Sequence, residues 1–492
     1  MSTLKNRISL CVALLGAVAS SDVQAQWTQL SLSQARPAIA AVSVDGKLII
    51  AGGVDGSSLS DLVEIYDEAT DTWSYSALSS PRAGTTATAV GDYAIFAGGQ
   101  EADFSYSAVV DILHVPDMIW TSFTLTQPRT SMGATTVGNK AIFAGGKAGI
   151  PSAFVLSAVV DIYDADLGDP HESAAWTTAM LSQERRSPAA TSVGGRALFA
   201  GGLGISKTSK RVDIFNDATG IWSTAVLSEK RLLGTQSAVS FGTRAYFAGG
   251  FVTTSGLPYV ISDLVDIYDS QTGVWTTETL SVPRGGAAAV ALGNKILFAG
   301  GWTAPAAPTD VVDIFDAGTG LWDPTTTLSQ ARGAIQRAAV NGKGFFAGGS
   351  DGLATTAVVD VYTPIVSSPW TGLGYALPGV NGDPTLLGSG PLTTGSAGSL
   401  NLSNAAGPGT LAILFISLAN TPTPFKGGTL AAVPFLAQFS FGTTGSPGSI
   451  VLPWASWPAG LSGTSFYFQY GIQDGAAVQG AALSNLLRAD VP

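Results

Sequence analysis

Two sets of charged residues recur through this 492-residue sequence at a spacing that could assemble a site. One is a series of arginines: Arg36, Arg82, Arg129, Arg185, Arg231, Arg284 and Arg332. The other is a series of acids: Glu64, Asp111, Asp161, Asp213, Asp266, Asp313 and Asp360. Guanidinium and carboxylate groups can together hold an anionic ligand or carry out acid–base chemistry. They can also neutralise each other inside a fold, and seven of each favours that pairing, because an unpaired buried charge is costly. Groups that recur with a repeat usually hold the repeat together.

Other chemistries lack their reagents. The only cysteine is Cys11, and the only histidines are His114 and His171. His114 stands at a turn position that Asp67, Asp164, Asp269 and Asp316 fill elsewhere; His171 lies in an insertion between predicted strands. With no histidine pair at ligand spacing, a zinc or copper site is not expected, and a serine hydrolase would have no credible base. Nothing in the residue set calls for a cofactor.

What positions the charged series is a repeat. An Ala-Gly-Gly triplet occurs seven times, its last glycine at Gly53, Gly99, Gly146, Gly202, Gly250, Gly301 and Gly349. The intervals run from 46 to 56 residues. Each repeat reads as four short strands: a small-residue run after the arginine, an aromatic run ending in the glycines, a run like VDIYD, and a run opening with tryptophan. Pairs such as Asp45-Gly46, Gly138-Asn139, Gly194-Gly195 and Asn341-Gly342 supply the positive φ of tight hairpins between the first two runs. A four-stranded sheet with two apolar faces hides both by packing against copies of itself around an axis. The small residues then lie innermost, where there is least room. Phe96, Phe143, Phe199, Phe247, Phe298 and Phe346 wedge between sheets further out. Residues 27–32 match a fourth strand but precede the first repeat, and the seventh repeat dissolves after its third strand at 358–362. The N-terminal strand is therefore expected to complete the last sheet, with Trp370 as the alternative.

The glycine doublet, the Tyr-Asp of the third run and the tryptophan of the fourth, spaced alike through residues 26–365, resemble the kelch repeat family. Leu113-His114, Phe215-Asn216 and Phe315-Asp316 depart from the Tyr-Asp pattern. The resemblance implies an all-β fold, a seven-bladed β-propeller. Some kelch propellers resemble copper-radical oxidases, which need histidines, tyrosine and a cysteine-modified tyrosine; this chain cannot assemble that set. Other exported kelch proteins resemble sialic-acid mutarotases, whose arginine-and-carboxylate requirement this chain does not exclude, although nothing here matches such a site residue by residue.

In an antiparallel blade the connections from fourth to first strand and from second to third strand emerge on one face. The latter, at 54–61, 100–108, 147–157, 203–211, 251–263, 302–310 and 350–357, are the variable ones, and variable loops on a rigid repeat tend to carry binding residues. Their aromatics, Phe104, Tyr106, Phe154, Phe251, Tyr259 and Trp302, suit sugar stacking or a protein contact, or else cover blade edges.

Residues 1–25 read as an export signal: Lys5 and Arg7, an apolar stretch over 8–19, then Val23-Gln24-Ala25. Without them the remaining 467 residues carry a net charge of −12 and no cysteine. No later apolar run is long enough to span a membrane as a helix. A sparsely charged, acidic surface disfavours nucleic acid as a partner. Beyond residue 365 the composition changes: 370–492 holds only Asp383, Lys426, Asp474, Arg488 and Asp490 as charged residues. Its short apolar runs between Gly, Pro, Ser and Thr turns predict a small β-sandwich-like domain over 366–492. Its opening Leu-Gly-Tyr-Ala-Leu-Pro-Gly and closing Ala-Leu-Ser-Asn-Leu-Leu-Arg are similar to an uncharacterised C-terminal module of bacterial secreted proteins. Trp454 and Trp457 there could stack on a sugar or pack locally. The expectation is an exported, non-catalytic scaffold that binds a glycan or a protein through its loops. A carbohydrate-active enzyme and a structural envelope component stand as alternatives.

Overall fold

The computed structural model describes residues 26–205, 207–253, 260–364, 369–458, 460–461 and 463–491. The expected export signal lies outside them. The chain divides after Pro364 into two compact units.

In the first unit, blade one sets the pattern. Ala40–Val44, Lys47–Ala51, Leu62–Asp67 and Thr72–Ala77 pair in that order, each antiparallel to the next. Asp45 and Gly46 turn the first hairpin with φ of 47° and 69°, which the two-residue turn demands. Leu48 to Ala51 are all buried, because the second strand has a neighbouring sheet on both faces. Seven sheets follow this plan. Their first strands are Ala40–Val44, Thr86–Val90, Gly133–Val137, Ala189–Val193, Ala238–Phe241, Ala288–Leu292 and Gln336–Val340. Each lies beside the next, and the last lies beside the first, so the circuit is closed.

A separate apolar core forms at every junction between blades. The six wedge phenylalanines, Phe96 to Phe346, are all fully buried in these cores. Blade seven takes its fourth strand from the other end of the chain: Gln26–Ser31 pairs with Val358–Thr363, placing Trp27 opposite Tyr362. The Trp27 ring lies 5.0 Å from that of Tyr362 and 5.9 Å from that of Phe346. Its indole N–H donates to Thr326 Oγ1 on blade six at 3.1 Å. Blade six itself has a broken fourth strand, Leu321–Trp322 and Thr326–Thr327, around Pro324, which has no N–H for the ladder.

Besides a hairpin of Thr423–Phe425 with Gly428–Leu430, the second unit has two larger antiparallel sheets that share a core. One runs Trp370–Gly372, Leu487–Asp490, Ser465–Gln473, Leu411–Ser417, Ala437–Gly442, with Ala481–Leu483 also on Ser465–Gln473; the other runs Thr385–Ser389, Gly398–Ala405, Gly448–Trp454. Leu386, Leu400, Leu402 and Ile450 of the smaller sheet meet Ala412, Leu414, Phe468 and Tyr470 of the larger. Trp370 therefore opens a strand of this unit rather than closing blade seven.

Candidate functional site

The arginine series occupies seven equivalent sockets. Each arginine sits just before a first strand, is wholly buried, and ion-pairs with the third-strand acid of its own blade. Arg185 meets Asp213 at 2.6 Å and Arg284 meets Asp313 at 2.7 Å. Arg36, Arg82, Arg129, Arg231 and Arg332 also donate through Nη1 to the carbonyl of the first doublet glycine and to a third-strand carbonyl; for Arg36 these are Gly52 at 2.6 Å and Leu62 at 2.9 Å. Nε of all seven has no hydrogen-bond partner among the described residues. Burial lowers the Arg129 guanidinium below its ordinary pKa, and the adjacent Asp161 opposes that fall.

The same carboxylates reach across the blade junctions. They accept backbone N–H groups at the end of the preceding blade's fourth strand: Thr126 to Asp161 at 3.0 Å, Ser182 to Asp213 at 2.8 Å, Ser228 to Asp266 at 2.9 Å. Ser33, which follows the N-terminal strand, donates to Glu64 of blade one at 2.6 Å, so one such bond also spans the closing junction. The glycine doublet belongs to this arrangement. A Cβ on Gly52 would stand 2.5 Å from the Arg82 carbonyl oxygen, and one on Gly300 would stand 2.6 Å from that of Arg332. Only glycine lets successive blades approach so closely. The ring is thus a structural joint whose charges are committed to each other.

The loop aromatics separate into groups. Phe104 is 69% exposed, and Phe154 is exposed with the Lys147 ammonium 5.1 Å from its ring centre. Tyr106, expected at the surface, is buried, because its backbone bridges to Gln100 and folds the loop inward. Phe251 and Trp302 are half-buried lids. Phe251 lies over Gly285 and Trp302 over Gly333, each glycine adjoining the ring arginine of the next blade. They cover blade edges rather than offering free faces. Tyr259 lies outside the described residues.

The same loops expose aliphatic side chains that attention to aromatics passes over: Ile150, Val155, Ile205 and Leu353, the last 98% exposed. Backbone bridges, such as Thr130 to Lys147 and Gly333 to Ser350, tie these loops to the segments entering the first strands, which sets both groups of connections on one face.

Along the axis runs a channel of about 300 Å³, lined by first strands of six blades. Ser43, Thr88, Thr135, Thr191, Ser192 and Ser240 face it, together with Arg337. Arg337 was passed over in the sequence because it falls outside the arginine series. Its signal was legible nevertheless: it is the one charged residue on any of the seven first strands.

Neither histidine stands alone. His114 Nδ1 lies 2.7 Å from Asp117, and exposed Asp169, His171 and Glu172 bring their polar atoms within 4.8 Å of one another. In the second unit, Trp454 packs against Trp370 and Trp457, with ring centres 6.1 and 5.3 Å away. These residues line an apolar cleft of about 540 Å³ with Phe439, Phe466 and Phe468.

Among known proteins, the Kelch motif family model matches residues 35–77 and 283–329. Each stretch begins one residue before a ring arginine and carries one blade, the first and the sixth, through its fourth strand. No curated protein matches the chain. The solved structure of YjhT is similar at 13% identity with a TM-score of 0.47, covering 60% of this chain and 99% of that one. Two stretches of the chain thus match the Kelch motif, within a closed circuit of seven antiparallel sheets that a further C-terminal β region follows in sequence.

Proposed function

We propose that this protein is an exported binding scaffold that engages a protein partner through the connections between second and third strands. One observation carries the reading. Phe104, Ile150, Phe154, Ile205 and Leu353 are large, exposed and apolar, and they occur on loops that differ from blade to blade. On the opposite turns, the exposed residues Ile119, Ile221, Val274 and Leu321 each precede the blade tryptophan, so they repeat with the fold and belong to it. Apolar side chains that do not repeat have no such structural reason, and single ones among them are the usual anchors of a protein interface. Isoleucine and leucine offer no flat ring for a sugar, which favours protein over glycan.

An enzymatic reading draws less support. It would need arginine and carboxylate free to meet a substrate, and in the ring these groups are bound to each other.

The test is capture of partners by the full-length chain, followed by the triple variant Phe104→Ser, Phe154→Ser, Leu353→Ser. Binding should weaken at least about tenfold while thermal unfolding stays in place, since exposed substitutions shift stability by only about 0.5 kcal/mol. A partner held equally well by the variant, or a bound sugar that is turned over, would overturn the proposal.

A further inference from the structure

We propose that the axial channel is a binding site for one small oxyanion, of the carboxylate or phosphate class, held by Arg337. Three features converge. First, Arg337 enters from the first strand of blade seven and reaches blade five, where Nε donates to the Gln236 carbonyl at 3.3 Å and an Nη to the Ala238 carbonyl at 2.8 Å. The Gln236 side-chain amide in turn donates to Gln336 at 2.6 Å, bracing the strand that carries the arginine. The guanidinium is thereby held in place with its second Nη free of protein acceptors among the described residues.

Second, no carboxylate among the described residues lies within ion-pair distance of it, in contrast to all seven ring arginines. The group is half-buried by solvent contact yet surrounded by protein, and burial, with nothing opposing it, brings its pKa down to about 10. It remains a cation at neutral pH, in a place where a cation without a counter-charge is costly.

Third, the channel wall offers donors. Ser43, Thr135, Thr191, Ser192 and Ser240 line it, and their hydroxyls make no hydrogen bond to the protein among the described residues. A guanidinium fork with surrounding hydroxyls is the donor set that recognises a planar or tetrahedral oxyanion. The volume of about 300 Å³ admits a small anion rather than a polymer.

This site is separate from the loop tips, and loop substitutions should leave it intact. The test is titration calorimetry of the full-length chain with sodium phosphate and with sodium acetate, at constant ionic strength, with sodium chloride as the control. One saturable site per chain is expected for at least one oxyanion, weakened about tenfold or more by Arg337→Met. Arg337→Lys keeps the charge but loses the fork, and should fall between the two. A response to phosphate alone assigns a phosphoryl ligand, and one to acetate alone a carboxylate. If Arg337→Met does not fold, crystals grown with selenate give the answer directly, through a single anomalous peak beside the guanidinium. No saturable binding, an equal response to chloride, binding unchanged in Arg337→Met, or a selenate peak elsewhere would each overturn the proposal.

Discussion

The two units satisfy the same need, buried polar groups at strand ends, with different chemistry. In the propeller the need is met by charge. Seven arginines bind seven carboxylates, and those carboxylates also hold the neighbouring blade. In the C-terminal unit it is met by a neutral amide. Gln469 is fully buried; its carbonyl accepts from the Ala431 N–H at 2.8 Å, and its amide donates to the carbonyls of Tyr375, Thr429 and Ser484. The difference follows from repetition. A socket used at every blade junction must join two strands and a loop with one residue pair, and the long, forked arginine reaches all three. A joint used once can be built from whatever neutral groups the local turns provide. The comparison teaches that the repeated unit commits its strand-end polar groups to charged pairs, whereas the single one spreads them over neutral bonds.

Three changes would break or sharpen that contrast. The largest effect should come from deleting residues 26–33, which removes a complete strand, the buried face of Trp27, and the Ser33 link to Glu64. The open edge of Val358–Thr363 should then pair with other chains. A loss above about 5 kcal/mol is expected, together with aggregation on size exclusion. A monomer with unchanged unfolding would show that the last blade does not need its borrowed strand.

Next in size is Arg129→Ala. It leaves Asp161 buried without its partner and should cost about 3–5 kcal/mol in chemical denaturation. The double change Arg129→Met with Asp161→Leu should recover most of that loss, since an apolar pair of similar volume leaves no orphan charge. If the double variant is as unstable as the single one, the socket acts through its bonds to Gly145, Val159 and Thr126 rather than through charge.

Smallest is Gln469→Leu, which strands one N–H and loosens three carbonyls without leaving a charge. A cost of about 1–3 kcal/mol, confined to the unfolding transition of the C-terminal unit, is expected. A cost equal to that of Arg129→Ala would erase the distinction between the two chemistries.

The repeat architecture was legible because its signals are local and periodic. Glycine doublets, hairpin glycines and the spacing of arginine to acid report on backbone turns and strand order, and these are set within one repeat. The closing strand was legible for the same reason, since Trp27 carries the fourth-strand pattern. Exposure was not legible. Phe104 and Tyr106 are two residues apart on one loop, yet one stands in solvent and the other is buried, because the bridge to Gln100 decides which way each faces. Phe251 and Trp302 become lids only because the neighbouring blade presents a glycine beneath each ring. The two kinds of arginine show the division most clearly. The sequence alone determined that seven of them recur with seven acids, and so that a paired ring was the economical arrangement. That Arg337 reaches from blade seven to blade five, with no carboxylate at ion-pair distance among the described residues, was decided by the closed circuit. Only when the first strands are gathered in a circuit does a charge from blade seven meet the carbonyls of blade five and share a channel with the hydroxyls of blades one to five.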